Sequence, residues 1–236
     1  MQRKGKVDAD NEAQDIADTE SEGANVMLKG IVRDYNGEYL TILAPYNNTQ
    51  ELCRKNIKEC EIRLNDGRRI SHDQRKKIYA TFNDIALYTG YVGDEIKAIM
   101  KYEFISRTGY EYFSLSDVDV TTAKEFLQFL VEWCVEHGVP TADNLLDRAP
   151  DIARYIYVCL LNKKCCITGD KAELHHEHAV GMGRNRKEII HKGMMVMPLS
   201  RKMHTECHTI GQTTFNDKYH VFGVVCDEAI CEVYKL

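Results

Sequence analysis

Two short histidine-rich segments constrain this chain more than any other feature of its sequence. The first is Leu174-His175-His176-Glu177-His178, and the second is His204-Thr205-Glu206-Cys207-His208. In the second segment two histidines lie four residues apart, which on a helix places both rings on one face. Imidazoles from the two segments can hold a transition metal and still leave one nitrogen free as a base. The pattern therefore predicts a fold that brings the two segments together.

Basic residues around these histidines indicate what such a site would act on. They are Arg184, Arg186, Lys187, Lys192, Arg201 and Lys202. A metal, a free imidazole and a cationic rim together favour phosphodiester chemistry on a nucleic acid. The net charge of −5 does not exclude this, because the distribution of charge matters more than its sum.

A second basic segment, residues 54–77, holds nine basic residues against four acidic ones. Its last cations stand at the predicted start of a helix, where positive charge is unfavourable without a counterion. This conflict favours a phosphate partner, and a solvated helix start is the alternative. We therefore predict DNA contacts from both basic segments, at Arg68, Arg69, Arg75, Lys76, Lys77, Arg184, Arg186 and Lys187.

Composition places the chain among ordinary globular proteins, with 44% hydrophobic and 28% charged residues. No apolar run approaches membrane-spanning length, and no apolar stretch follows the basic N-terminus. We therefore expect a cytoplasmic protein with no membrane partner. The nine cysteines include no C-x-x-C pair, so neither a ribbon-type zinc site nor a redox motif is predicted. Most of them are expected to be reduced. Four lie near the histidines in sequence, and one of them is a candidate ligand: Cys159, Cys165, Cys166 or Cys207.

Turn signals and apolar periodicity predict an α+β fold with an N-terminal part of strands and helices. Residues 1–26 are acidic and are predicted to be a disordered leader. A turn at 34–37 between β-prone runs predicts a hairpin, and a further strand is predicted over 59–64. Capping boxes at 71–74 and 122–125 predict helix starts, and an apolar stripe predicts a continuous helix over 143–162. We divide the rest of the chain into domains at 27–145 and 146–236.

Residues 165–208 resemble the HNH, or ββα-metal, nuclease finger. The stretch Glu173-Leu174-His175-His176-Glu177 is similar to the double-histidine strand of the colicin-type members, and His204-x-x-x-His208 is similar to the metal-binding pair on the closing helix. The resemblance implies a C-terminal ββα-metal domain. It implies that His175, His204 and His208 hold a divalent metal and that His176 activates water. Neutral histidines suit Zn²⁺ or another transition metal, and Mg²⁺ or Mn²⁺ would serve cleavage.

This sequence departs from the HNH pattern at two places. The asparagine that orients the base has no direct counterpart, and His191 falls nearest to its position, with Asn185 as a second choice. We therefore assign His191 to the catalytic set together with His176. The two-cysteine knuckle that often precedes the strand is reduced to Cys166-Ile167-Thr168-Gly169.

The earlier part of the chain resembles the Orf/NinB recombination mediators of lambda-like phages. The similar stretches are Arg68-Arg69-Ile70-Ser71-x-Asp73-Gln74-x-Lys76-Lys77 and the predicted helix over 122–139. This resemblance implies a homodimer that binds single-stranded, gapped or branched DNA and works with a single-strand-binding protein. For a phage-encoded protein the compartment would be the cytoplasm of the host cell.

Three functions remain open from the sequence. One is a recombination protein with an HNH endonuclease site, and the second is a non-catalytic mediator whose metal finger is structural. In the second, Cys166, Cys207 or His178 would close the metal site as a fourth ligand. The third is a homing or restriction-type nuclease, which needs base-specific contacts. Water at the fourth metal position would indicate an enzyme, and a cysteine or histidine there would indicate a scaffold.

Overall fold

The computed structural model describes residues 30–46, 50, 53–54, 56, 62, 67–177 and 190–236. The predicted leader lies outside these residues, and so does the predicted strand over 59–64 apart from residue 62. The described residues fall into two compact units. The smaller one holds those up to residue 56 together with 105–111, and the larger one holds those of 62–104 and 112–236. The predicted domain boundary after residue 145 stays a prediction.

The smaller unit contains the predicted hairpin. Strands β1 (Ile31–Tyr35) and β2 (Leu40–Leu43) pair in antiparallel fashion. In the turn, the side-chain oxygen of Asn36 accepts from the backbone N–H of Tyr39 at 2.8 Å. Gly37 has a φ of +96°, which a residue without Cβ adopts most readily. The prediction from the turn signal is confirmed.

Three long helices follow along the chain: α1 (His72–Thr89), α2 (Gly93–Thr108) and α3 (Val120–His137). The predicted capping box at the start of α1 is confirmed, with reciprocal hydrogen bonds between Ser71 and Gln74.

Helix α3 begins earlier than its predicted capping box at 122–125. Asp119 is the N-cap, and its carboxylate accepts from the N–H groups of Thr121 and Thr122 at 3.0 and 2.9 Å. An aspartate there satisfies two free amides and carries the charge that the positive end of the helix dipole favours. The box prediction was therefore wrong, while the predicted end of the helix at Gly138 is confirmed.

An aromatic cluster fills the core between these helices in the larger unit. The ring of Phe126 on α3 lies 5.2 Å from the rings of Phe104 and Phe113 and 5.9 Å from that of Phe82, centre to centre. Aromatic pairs at these separations add about 0.5–1.5 kcal/mol each beyond the burial of their surface. The core therefore holds α1 and α3 in a defined relation.

The predicted continuous helix over 143–162 is two helices, α4 (Leu145–Arg148) and α5 (Ile152–Leu161). Pro150 stands between them, and proline has no N–H for the helix ladder. Asp151 then caps α5 by accepting from the backbone N–H of Arg154 at 3.1 Å. The prediction of one continuous helix was therefore wrong, because Pro150 interrupts the apolar stripe.

A three-stranded antiparallel sheet, ordered β3-β4-β5, follows: β3 (Glu173–His176), β4 (Met195–Leu199) and β5 (Val224–Val225). Helices α6 (Arg201–Ile210), α7 (Gln212–Tyr219) and α8 (Glu228–Tyr234) complete the chain. Helix α5 packs against β4, and α6 packs against β3 and β4. Helices with small sheets confirm the α+β class.

None of the helices in the described part of the chain combines the length and the apolar composition that a bilayer span requires.

Candidate metal centre

Strand β3 directs two adjacent histidines to different partners, as the alternation of side chains along a strand requires. His175 is 3% exposed, and its ring lies 4.8 Å from that of His204 and 5.2 Å from that of His208, centre to centre. His176 is half-buried, and its ring lies 5.0 Å from the ring of His191. The strand therefore separates the two imidazoles into neighbouring but distinct environments.

Helix α6 supplies the other two histidines of the first environment. Its N-cap Ser200 directly follows β4 and accepts from the backbone N–H of Met203 at 3.5 Å. His204 and His208 lie on the same face, with ring centres 4.9 Å apart. Because α6 packs against β3, this face meets His175. The fold thus brings the two histidine segments together, as their spacing predicted.

The three-histidine cluster, His175, His204 and His208, offers one ligand atom from each residue, all within 4.8 Å of one another. Nδ1 of His175 is buried and has no hydrogen-bond partner among the described residues. Such an atom costs free energy unless a ligand engages it. Burial also lowers the pKa of His175, which favours the neutral form that binds metal. Both the geometry and the donor set fit a transition metal ion such as Zn²⁺.

Glu173 supports His204 from the same strand. Its Oε2 atom lies 3.1 Å from Nδ1 of His204 and 3.2 Å from Nη1 of Arg201. Hydrogen bonds from His204 and Arg201 lower the pKa of Glu173. With Nδ1 engaged, His204 has Nε2 left for a metal. Sequence reasoning gave Glu173 no role, although its position two residues before His175 on one strand face was a usable signal.

His176 and His191 form the second environment. Nε2 of His176 lies 2.9 Å from Nδ1 of His191, so the two predicted catalytic residues share a hydrogen bond. The turn that carries His191 is closed by donation from the N–H of Met194 to the carbonyl of His191 at 3.0 Å, and Gly193 there has a φ of +87°. Burial, followed by the charges of nearby histidines, lowers the pKa of His176. His176 is therefore held neutral at physiological pH, as a base must be.

Cys207 and Cys166 are the two residues in the described part of the chain that were considered as a closing fourth ligand. Sγ of Cys207 is 3.5 Å from Nε2 of His175, which is the nitrogen opposite the unpartnered Nδ1. Cys166 is fully buried, and its carbonyl accepts from the hydroxyl of Tyr155 at 3.1 Å. Neither thiol belongs to the three-histidine cluster found in the described part of the chain. His178 lies outside that part.

Three of the predicted DNA-binding cations donate to backbone carbonyls within the larger unit. Arg69 reaches the carbonyl of Asp117 at 2.5 Å, Arg75 that of Ser116 at 2.7 Å, and Lys77 that of Asp147 at 2.6 Å. Tertiary contacts therefore occupy side chains that the charge pattern assigned to DNA.

Of the other predicted cations, two lie in the described part of the chain. Arg68 and Lys76 are exposed. Arg184, Arg186 and Lys187 lie outside the described residues.

Comparison with known proteins identifies the family. The model of the family described as "Putative HNHc nuclease" matches residues 46–236, which is most of the chain. No curated protein and no solved structure matches the chain. The match supports an HNH nuclease-like domain, and a divalent metal at the three-histidine cluster agrees with it. From the histidine pattern, its convergence in the fold and this match, we conclude that the chain belongs to the HNHc nuclease family.

Proposed function

We propose that this protein is a metal-dependent endonuclease that hydrolyses phosphodiester bonds in DNA. The three-histidine cluster would hold the metal, and His176 would activate the attacking water. The observation that carries this proposal is the buried, unpartnered Nδ1 of His175, a member of the three-histidine cluster, on the strand that also carries the hydrogen bond of His176 to His191. In this proposal β3, β4 and α6 correspond to the ββα-metal arrangement of HNH nucleases.

The two histidine environments divide the chemistry. A divalent ion held by the three-histidine cluster would neutralise charge on the scissile phosphate and stabilise the leaving oxygen. His176 acts as general base when it donates its Nε2–H to Nδ1 of His191, which leaves the lone pair on its own Nδ1. Once His176 takes up a proton, its hydrogen bond to His191 becomes charge-assisted and stronger. His191 therefore takes the orienting role that an asparagine has in the HNH pattern.

The second candidate is a non-catalytic mediator with a structural metal site. The proximity of the Cys207 thiol to His175 favours this candidate, because a fourth protein ligand would close the site to water. Against it, the thiol approaches Nε2 rather than the unpartnered Nδ1. A cleavage assay with single-stranded, gapped and branched DNA and with Zn²⁺, Ni²⁺, Mn²⁺ or Mg²⁺ separates the two. Cleavage with any of these metals supports the endonuclease. No cleavage with any of them supports the mediator.

The substrate and the partners are finer proposals that rest on the Orf/NinB resemblance. We propose that the protein acts in phage-type recombination on single-stranded or gapped DNA, as a homodimer and together with a single-strand-binding protein. In that setting it would work in the cytoplasm of the host cell. The same DNA set with fully paired DNA added tests the first part, because preferential cleavage of gapped over fully paired DNA is expected.

Replacing His208 with alanine is expected to remove the metal. The parent protein should carry about one transition metal ion per chain, and two imidazoles should not retain it through dialysis against a weak chelator. Elemental analysis of both proteins measures this. The matched control is His72→Ala, which changes an exposed histidine on α1 and should keep the metal. A metal-free parent that takes up no ion on titration would contradict the proposed site.

Replacing Lys76 with glutamate is expected to lower the salt dependence of DNA binding. Each phosphate contact contributes about one unit to the slope of log affinity against log salt, because counterions are released. Lys76 is the better choice than Lys77, whose ammonium group holds the carbonyl of Asp147. Lys235→Glu makes the same charge change at an exposed position directly after α8 and should leave the slope unchanged. Equal slopes for parent and Lys76→Glu would place the DNA contact elsewhere.

A further inference from the structure

A chain of hydrogen bonds begins at His175 of the three-histidine cluster and ends on a carboxylate. Nε2 of His175 lies 2.7 Å from Oε1 of Gln212, and Nε2 of Gln212 donates to Oδ1 of Asn216 at 2.8 Å. Nδ2 of Asn216 donates to Oε1 of Glu177 at 3.1 Å. Gln212 and Asn216 are four residues apart on α7 and so share a helix face. We call these three side chains, Gln212, Asn216 and Glu177, the α7 relay.

The carboxylate end of the α7 relay is held by the backbone. The N–H of Gly223 donates to Oε1 of Glu177 at 2.6 Å. A Cβ at position 223 would lie 2.7 Å from Cδ of Glu177, closer than non-bonded carbon atoms approach. The glycine therefore leaves room for the carboxyl group that ends the relay.

The hydrogen bonds of the α7 relay can run in only one donor-to-acceptor direction. Oε1 of Glu177 accepts from Asn216, so Asn216 presents its NH₂ group to Glu177 and its carbonyl to Gln212. Gln212 then presents its NH₂ group to Asn216 and its carbonyl oxygen to His175. That oxygen also lies 3.4 Å from the Cys207 thiol, which donates to it. A carbonyl oxygen cannot donate, so His175 must carry its proton on Nε2.

The polarity of the α7 relay decides which nitrogen of His175 is free to bind a ligand. A neutral imidazole with its proton on Nε2 carries the lone pair on Nδ1. Nδ1 of His175 is the atom that is buried without a hydrogen-bond partner among the described residues. The rings of His204 and His208 face His175 at 4.8 and 5.2 Å. The relay thus prepares the free nitrogen of His175 for a ligand inside the cluster.

We propose that Gln212, Asn216 and Glu177 are positioning residues that hold His175 in the tautomer and ring orientation required for metal binding through Nδ1. This inference rests on the proposed function, because it assigns a metal to the three-histidine cluster. Residues that orient a metal-bound histidine in this way typically contribute about 10–100-fold to metal affinity. Asn216 and Glu177 achieve this without touching the metal.

The first test measures Zn²⁺ affinity of the full chain by competition with a chromophoric chelator. Gln212→Leu and Asn216→Leu are each expected to raise the dissociation constant by about 10–100-fold. Gln212→Glu keeps an acceptor for His175 and should stay much closer to the parent. Thr213→Leu, an exposed change on the same helix, is the matched control and should have no effect. Circular dichroism establishes that each variant is folded.

The second test reads the tautomer directly and does not depend on activity. Imidazole ¹⁵N chemical shifts of the metal-free parent protein should show His175 protonated at Nε2, and Asn216→Leu should weaken that preference. A parent with the proton on Nδ1, or unchanged Zn²⁺ affinity in both leucine variants, would overturn the relay while the metal site stands. A parent that binds no metal would instead overturn the proposed function, and this inference with it.

Discussion

Replacing His176 with alanine is expected to lower the rate of DNA cleavage by about 10²–10⁴-fold, the usual cost of losing a general base. Metal content and DNA affinity should stay near those of the parent protein. The physical reason is the separation on β3, because His175 faces the three-histidine cluster while His176 contacts His191. Single-turnover cleavage rates, elemental analysis and DNA titration of the same preparation measure the three quantities.

Two further variants sharpen this experiment. His191→Ala removes only the partner of His176 and should give a smaller loss of rate than His176→Ala. His72→Ala, on the exposed side of α1, should cleave at the parental rate. If His176→Ala loses the metal or unfolds the protein, His176 is a ligand or a structural residue, and its assignment as base is wrong.

Replacing Arg148 with alanine is expected to lower the free energy of unfolding by about 3–5 kcal/mol, the usual cost of breaking a buried ion pair. Nη1 of Arg148 lies 2.7 Å from Oδ2 of Asp84 and 3.0 Å from Oγ1 of Thr81, and Asp143 pairs with the same guanidinium group. The side chains of Arg148 and Asp84 are only 3% and 8% exposed. Without the arginine, a buried carboxylate on α1 is left without its counter-charge.

Urea unfolding followed by circular dichroism measures this loss. Arg154 provides the matched control, because it pairs with Glu125 and Glu132 but its side chain is 46% exposed. Arg154→Ala should cost about 0–1 kcal/mol, since solvent screens such pairs. The double variant Arg148→Met with Asp84→Ala should recover part of the loss by removing both buried charges. Equal losses for Arg148→Ala and Arg154→Ala would show that the buried pair contributes no more than a surface pair.

Local patterns were sufficient for the parts of this protein that depend on neighbours in sequence. The spacing of His204 and His208 and the alternation of His175 and His176 predicted the two histidine environments, because helix and strand periods are set by the backbone. The capping box at Ser71 and the left-handed Gly138 marked helix ends for the same reason. The hairpin turn at 34–37 could also be predicted from neighbouring residues alone.

Tertiary structure decided the contacts that join side chains from distant elements. His191 reaches His176 because its turn docks on the sheet, where the N–H of Gly193 donates to the carbonyl of Cys226 at 2.8 Å. The contact of Gln212 with His175 spans 37 residues and requires α7 to pack beside β3. Such contacts depend on how elements pack rather than on the period of any one of them.

The same reason explains why the charge pattern could not reveal the tertiary partners of these cations. Lys77 belongs to a basic run in the sequence, but the position of α4 brings the carbonyl of Asp147 to its ammonium group. Arginine is usually exposed, and nothing in the sequence marks Arg148 as an exception. Packing against α1 nevertheless buries its side chain beside Asp84. The sequence by itself thus determined the hairpin, the start of α1, the end of α3 and which histidines belong together. Only the fold decided which polar side chains contact these histidines and stabilise these elements, because a hydrogen bond or ion pair requires both partners within about 3 Å in space.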